Sequence, residues 1–361
     1  MKILQIIDSL ATGGAEKLLL DSLPLYREAG IEMDVLVLKD EDYPFMQQLE
    51  AMNSCKIYKL GSGSVYQPNH IFKIAKIIGQ YDIAHVHLFP AQYWAVLAKQ
   101  WSGASTKLIF TEHSTSNRRI RNRFSKPIEQ YIYSKFDSIA VIADEVESAL
   151  LKHISLSSDK VFKIYNGVDI LKYKKAEVQS RDKLNLSQKD FLVIQVSSFK
   201  YPKDQSTLIK ALSLLPNNVK LILVGDGPER ENCETLATRL GLSNRVYFLG
   251  NRNDVPALLK TADIVVLSSH YEGMSLSSIE GMASGRPFIA SDVPGLAPIV
   301  KDAGLLFPVG DTEALAAIIL RLKQEPIFKQ NIVEACQNRA AQYDIQIMVN
   351  QYIQLYEQIL T

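Results

Sequence analysis

Short runs rich in valine, isoleucine and leucine alternate with amphipathic stretches along nearly the whole chain, and this rhythm restricts its fold more than any other feature. In the first half the runs fall at residues 3–7, 33–38, 56–59, 83–88, 108–112, 138–142 and 161–165, with amphipathic stretches such as 16–29 and 71–78 between them. Further runs at 191–196, 221–224, 246–248, 264–267, 288–290 and 305–307 repeat the pattern, and from 312 onward the chain reads helical. Apolar strands alternating with helices are the mark of a parallel α/β sheet. The rhythm breaks once, at Tyr165-Asn166-Gly167-Val168-Asp169, and the polar segment 172–190 after it reads as a linker or surface loop. Two doubly wound α/β units in succession are therefore expected, a division that 361 residues accommodate easily. Ligands of such sheets sit off the carboxyl ends of the strands, so the units are expected to face a cleft that holds the site.

Charge and cysteine content exclude several classes. Forty basic residues against 39 acidic ones give a net charge of +1, so no global field argues for nucleic acid. Three scattered cysteines, Cys55, Cys233 and Cys336, form neither a CxxC nor a Cys/His cluster, which speaks against disulfides and zinc. The opening apolar run reaches Asp8 too soon for a signal peptide, and no run approaches the length of a membrane span. A cytoplasmic protein is expected, soluble or attached at the inner membrane face.

Chemistry concentrates in residues 270–287. Glu272 follows the apolar run 264–267, and Glu280 stands eight positions later in a Ser/Ile/Met/Ala segment that reads as short helix ending at Gly285. Between them, residues 273–278 (Gly273, Met274, Ser275 and Leu276 foremost) would offer backbone N–H groups at a helix N-terminus, where anions bind. A carboxylate, an amide cradle and a second carboxylate suit a ligand with hydroxyls at both ends and phosphates between: a nucleotide-sugar.

Other candidates carry alternatives. Gly13-Gly14-Ala15-Glu16 opens a helix after the first strand; it either admits a bulky anion closely or merely makes a tight turn, and Glu16 reads as a helix-dipole partner. His113 ends Thr111-Glu112-His113 at the ligand-binding end of a strand, where it would donate to a sugar hydroxyl or a developing oxyanion, or simply cap the strand. His85 and His87 share a strand face and read as buried structural residues. Asp40-Glu41-Asp42 reads as a solvated loop rather than a metal site. Lys203, just before a helix at 205–215, suits a phosphate or a plain surface; Gly225-Asp226-Gly227-Pro228 reads as packing and turn geometry first. Residues 117–136 hold Arg118, Arg119, Arg121, Arg123, Lys126 and Lys135 against Glu129, with apolar residues interleaved. That mixture suits an anionic membrane face, an anionic acceptor or an ordinary solvated helix.

Taken together these motifs resemble the retaining glycosyltransferases of family 4, of GT-B architecture. The resemblance rests on Gly13-Gly14-Ala15-Glu16, Thr111-Glu112-His113, Asn166-Gly167-Val168-Asp169, Gly225-Asp226-Gly227-Pro228, Phe248-Leu249-Gly250 and above all the block from Glu272 to Pro287. It implies an acceptor-binding Rossmann-like domain at 1–168, a nucleotide-sugar-binding one at 169–344, and a C-terminal helix, about 345–361, crossing back to the first. It further implies that Glu272 contacts the donor sugar, Glu280 the ribose, the amides of Met274, Ser275 and Leu276 the sugar and phosphate, and Gly14 the diphosphate. His113 would bond the transferring sugar, and Asn251 and Arg252 would border the base. Where the family carries an arginine this chain has Ser198, leaving Lys203 as the expected cation for the leaving diphosphate. Losing one such contact costs roughly 1.5–3 kcal/mol, one to two decades in rate if felt only in the transition state.

The expected activity is transfer of a hexose-type sugar from a nucleoside-diphosphate sugar, UDP being the family's commonest choice, to a glycan or lipid-linked hydroxyl in cell-surface polysaccharide synthesis, without metal or other cofactor. Two alternatives remain: a sugar-nucleotide epimerase or phosphorylase on a similar frame, and a non-catalytic nucleotide-sugar-binding partner subunit, which the missing arginine favours.

Overall fold

A computed structural model of the chain describes residues 1–11, 13–113 and 125–361. It divides into two compact units, Met1–Gly167 with Ile345–Thr361, and Val168–Asp344. Arg118, Arg119, Arg121 and Arg123 lie outside the described residues.

The first unit alternates β1 (Lys2–Ile7), α1 (Gly14–Glu28), β2 (Glu32–Val37), α2 (Pro44–Met52), β3 (Ile57–Lys59), α3 (His70–Ile78), β4 (Ile83–His87), α4 (Ala91–Ser102), β5 (Lys107–Glu112), α5 (Lys126–Ser134), β6 (Ser138–Val141), α6 (Asp144–His153) and β7 (Val161–Lys163). Among the described residues these strands form a parallel sheet in the order β3-β2-β1-β4-β5-β6-β7. The chain winds outward from β1 to β3, then returns to β4 on the other side, so the order reverses between β1 and β4. Ile3, Leu4, Ile6 and Ile7 are fully buried, covered on both faces of the sheet, which is why the run shows no polar alternation.

The second unit begins with α7 (Ile170–Lys175). It continues through β8 (Phe191–Val196), α8 (Gln205–Ser213), β9 (Val219–Val224), α9 (Arg230–Arg239), β10 (Val246–Phe248), α10 (Val255–Thr261), β11 (Ile264–Leu267) and α11 (Leu276–Ala283). It ends with β12 (Phe288–Ser291), α12 (Ala297–Val300), β13 (Leu305–Phe307), α13 (Thr312–Gln324) and α14 (Pro326–Ala341). Its parallel sheet runs β10-β9-β8-β11-β12-β13, reversing between β8 and β11. Leu221, Leu223, Ile264, Val266, Ile289 and Phe307 share its core with Leu208 and Leu315. Both units are thus doubly wound Rossmann-like sheets.

Segment 172–190, expected as a linker or surface loop, starts inside a short helix and beyond it is mostly surface loop with a few buried anchors. Asp169 caps α7 by accepting from Lys172 N at 3.0 Å, and Tyr173, Leu184 and Leu186 are buried. α7 packs on α10 and α11; its lysines face outward and conceal the i, i+3 apolar pair Ile170/Tyr173.

The last helix, α15 (Ile345–Leu360), belongs to the first unit. Its buried residues Ile345, Met348, Val349, Tyr352, Leu355 and Tyr356 follow helical spacing and form one stripe. Within that stripe the Tyr356 hydroxyl lies 2.7 Å from His85 Nδ1, and Tyr352 OH lies 3.0 Å from Thr111 Oγ1. Tyr356→Ala is expected to cost about 3–5 kcal/mol through its cavity, lowering the thermal midpoint by roughly 2–4 °C per kcal/mol. Tyr356→Phe removes only the hydroxyl and should cost about 1 kcal/mol. Equal losses in the two variants would contradict this packing account.

Candidate active site

Lys203 follows β8 and Glu272 follows β11, the two strands that flank the reversal of the second sheet. Ligand crevices form at such points because the outgoing loops diverge there. The two side chains meet: Lys203 Nζ donates to Glu272 Oε1 at 2.5 Å, with exposures of 21% and 10%. Ser269 Oγ donates to the same carboxylate oxygen at 2.7 Å. An ammonium has three N–H donors, so the pair leaves Lys203 with two more for an anion.

The backbone beneath the pair is fixed from both strands. Lys203 closes a single turn of 3-10 helix, Tyr201–Lys203, and Asp204 follows with φ +40°, a left-handed conformation uncommon outside glycine. Gln195, buried in β8, donates from Nε2 to the Lys203 carbonyl at 3.0 Å. The Ser268 hydroxyl lies 2.8 Å from both Gln195 Oε1 and the Asp204 carbonyl. Asp204 in turn caps α8, accepting from Thr207 Oγ1 at 2.6 Å and Thr207 N at 3.3 Å. On the Glu272 side, Ser269 N donates to Ser291 Oγ at 2.7 Å and Ser291 Oγ donates back to Ser269 O at 2.6 Å. Gly295 lets its loop press on the carboxylate's own backbone: a Cβ there would stand 2.2 Å from Glu272 O and 2.1 Å from Gly273 O.

Gly273, Met274 and Ser275 lead from Glu272 into α11. Ser275 occupies the cap position without a side-chain capping bond, and its carbonyl accepts from Ser278 Oγ at 2.7 Å. The first turn of α11, from Leu276, therefore carries positive helix-end charge with no side-chain acceptor supplied by the cap residue. Glu280 is buried on the same helix, which stops before Gly285, φ +76°. Ser198 is half-buried; its carbonyl accepts from Gln205 Nε2 at 3.0 Å. Lys200 is exposed, so Lys203 is the neighbouring cation that the fold turns inward. Gly225 serves packing, since a Cβ would meet Ser197 O at 2.1 Å. Asn251 and Arg252 are exposed, with Arg252 held by Asp254 through bonds of 2.8 and 2.7 Å.

The first unit contributes a second group of candidates. Gly13 caps α1 in extended conformation, and the Glu16 carboxylate folds back over it, 2.2 Å from where a Cβ would be. Glu16 is thus a helix-end partner, and Gly13 is needed for that fold-back. At the ends of β4 and β5 three histidines stand in series. Gln5 Nε2 faces the Met33 sulfur at 3.4 Å, leaving Gln5 Oε1 to accept from His87 Nε2 at 2.8 Å. Neutral His87 then accepts at Nδ1 from His113 Nε2, 3.3 Å away. His113 is left with a lone pair at Nδ1. With this tautomer the His113 N–H faces His87, and its other ring nitrogen is an acceptor. His87, with Gln5 behind it, is the positioning residue that sets this tautomer.

Burial disfavours charge on all three rings. It pushes His113 down to about 4 and His85 to about 3, the latter helped by His113 nearby, and holds His87 well below its ordinary range. A cavity of about 20 Å³ beside them, lined by Gln5, Ser22, Tyr26, His85 and Tyr352 among others, has room for one water.

Gln5, Gln195, Ser268, Ser291 and Gly295 escaped the sequence reading. A lone amide inside an apolar strand, as in Lys-Ile-Leu-Gln-Ile-Ile and Phe-Leu-Val-Ile-Gln-Val, was the available signal for the two glutamines. Among the described residues no three His, Cys, Asp or Glu side chains are grouped to hold a metal ion, and no helix is long and apolar enough to cross a membrane.

Two such Rossmann-like units, carrying these motifs in this order, define the GT-B class of glycosyl-transfer enzymes. Two family descriptions match the chain, Glycosyltransferase Family 4 over residues 12–171 and Glycosyl transferases group 1 over residues 177–339. The chain belongs to glycosyltransferase family 4. It is 29% identical over 292 residues to the N-acetyl-alpha-D-glucosaminyl L-malate synthase of Bacillus anthracis, spanning 77% of this chain and 75% of that protein. It is 26% identical over 279 residues to the UDP-Gal:alpha-D-GlcNAc-diphosphoundecaprenol alpha-1,3-galactosyltransferase of Escherichia coli, spanning 72% and 70%. Among solved structures, Anabaena HepE in complex with UDP superposes with a TM-score of 0.85 at 25% identity, over 99% of this chain and 100% of that one.

Two outcomes follow from this geometry. The histidines titrate near 6.5 when unfolded and lower when folded, so the unfolded chain binds more protons as pH falls. Their stabilising contribution is complete above about 6.5 and is lost towards pH 4, by up to about 1.4 kcal/mol per pH unit for each ring. Urea midpoints measured from pH 7 to 5 should fall; a flat profile would contradict buried neutral rings. Separately, Gly295→Ala must displace the Glu272–Gly273 backbone and should lower kcat/KM at least tenfold; wild-type kinetics would show that this approach does not position Glu272.

Proposed function

We propose that the protein moves a hexose-type sugar from a UDP-sugar to a hydroxyl of a glycan or lipid-linked acceptor in polysaccharide or glycoconjugate synthesis, with retention at the anomeric carbon. The observation that carries this reading is the Lys203–Glu272 pair standing immediately before the first turn of α11. A UDP donor draws support from HepE, solved with UDP, and from the UDP-Gal in the Escherichia coli relative's name. That relative's name also describes a diphosphoundecaprenol acceptor, which supports a lipid-linked one here.

In this proposal the diphosphate lies against the α11 amides and Lys203, which oppose the charge that grows as the bond from the anomeric carbon to phosphate breaks. The acceptor oxygen bonds to that carbon on the same face, and its proton passes to the departing phosphate oxygen. Glu272 accepts from sugar hydroxyls and fixes the ring; it is not the nucleophile. Glu280 takes the ribose hydroxyls. Lysine and helix-end amides meet the charge of the diphosphate, so the scheme requires no divalent cation. The absence of an arginine at Ser198 leaves more of the load on Lys203.

Lys203→Met is expected to lower kcat by about one to two decades, while wild-type turnover of UDP-sugars, followed as nucleotide release, should persist in EDTA. Strict dependence on added Mn²⁺ would overturn the metal-free scheme. Ser198 favours one other reading, a subunit that binds nucleotide-sugar without turning it over; calorimetric binding with no release on any glycan or lipid acceptor would establish that instead.

A further inference from the structure

The layer formed by α3, α4 and α5 departs from the charge balance of the chain. The protein as a whole carries 40 basic and 39 acidic residues. Across these three helices the charged residues are Lys73, Lys76, Lys99, Lys126 and Glu129, and Lys135 follows as the C-cap of α5. Glu129, the one acid, is 1% exposed and accepts from the Tyr93 hydroxyl, so it gives nothing to the surface. The exposed face of the layer therefore carries lysine charge with no exposed carboxylate from its own helices.

The same face shows large apolar side chains. Trp101 is 70% exposed and Phe72 48%, and their rings meet edge to face at 5.0 Å. Beside Trp101, Gln100 Nε2 donates to Tyr131 OH at 2.7 Å, joining α4 to α5. Tyr131 is itself exposed, with the Lys135 ammonium 4.9 Å from its ring, and Ile128 stands one turn earlier on α5, exposed too. Lys76 stands one helical turn beyond Phe72 on α3. α4 packs against both neighbours, so the patch is continuous across three helices.

Amphipathic rings with lysine heads around them fit one environment best. Tryptophan and tyrosine settle at the headgroup level of a bilayer, and each nearby lysine adds about 1 kcal/mol towards an anionic surface. Asp137, just beyond α5, lies 3.6 Å from Lys99 and offsets that charge, which leaves Lys76 and Lys135 as the lysines beside the rings. We infer that the Phe72–Trp101–Tyr131 face of the first unit, with Lys76 and Lys135, docks the protein on an anionic lipid bilayer. Its geometry is independent of the proposed function; only its purpose, bringing the enzyme to a lipid-linked acceptor, rests on that reading.

The test uses the full chain and vesicles of phosphatidylcholine with or without phosphatidylglycerol, in co-sedimentation and in fluorescence with brominated lipid. Wild type should sediment with phosphatidylglycerol vesicles at least tenfold better than with phosphatidylcholine alone, and less well as salt rises. Brominated lipid should quench Trp101, an effect that Trp101→Phe removes; the other tryptophan, Trp94, has its indole N–H bonded to Val65 O at 2.8 Å. The Phe72→Glu/Trp101→Glu double variant should lose vesicle binding at least tenfold while keeping wild-type nucleotide release with a water-soluble acceptor, since neither residue belongs to the proposed site. Equal binding to both lipids, or a double variant that still binds, overturns the assignment. So does a dimer in solution that the same substitutions dissolve, which would make a second copy the partner. Vesicle binding without sugar transfer would overturn the proposed function and leave the docking face standing; transfer without vesicle binding would do the reverse.

Discussion

The ion pair between Lys203 and Glu272 sets the terms for the second unit. Holding two opposite charges at 2.5 Å with little solvent around them is costly unless both are fixed and hydrogen-bonded. The neighbouring residues meet that requirement: Ser269 on the carboxylate, Gln195 on the lysine's carbonyl, Asp204 in a left-handed turn, and the reciprocal Ser269–Ser291 bonds. The pair lies where the strand order reverses, so the loops that carry it diverge there. Lysine retains donors for an anion, and the carboxylate stands directly ahead of a helix N-terminus.

The two units repeat one device. In each, the first strand of the doubly wound sheet carries a buried glutamine, Gln5 in β1 and Gln195 in β8. Gln195 orients Lys203 through its backbone, whereas Gln5 orients His113 through His87. An amide has a donor end and an acceptor end, and a partner for each end fixes which way it points. Met33 does this for Gln5, and Ser268 does it for Gln195. α15 adds to the histidine group by closing over His85 and Thr111 with two tyrosine hydroxyls, so the C-terminal helix is part of what keeps those rings buried and neutral.

The strands were legible because parallel strands covered on both faces leave uninterrupted apolar runs. Ile264 to Leu267 needed no adjustment at either end. α7 was not, because three lysines in a six-residue helix mask two buried side chains. Glu272, Glu280 and Lys203 stood out through residue type and position after strands. Their meeting did not: Lys203 and Glu272 are 69 residues apart, and contact between them depends on β8 and β11 being neighbours. Gln5 and Gln195 read as tolerated polar residues until their partners are seen. The tautomer of His113 depends on two further residues, Gln5 and His87, from two other strands, so no local pattern encodes it. Gly295 matters for space it leaves to Glu272 rather than for anything it contributes, and such space leaves no mark in a sequence.

In the proposed function Lys203 and Glu272 act as one unit on the donor. A double-mutant cycle with Lys203→Met and Glu272→Gln, read as kcat/KM for UDP-sugar turnover, measures it directly. Joint action makes the two losses strongly non-additive, with the double variant little worse than the poorer single and a coupling on the order of 1–3 kcal/mol. Additive losses would mean that the two groups act independently, and would overturn their joint role.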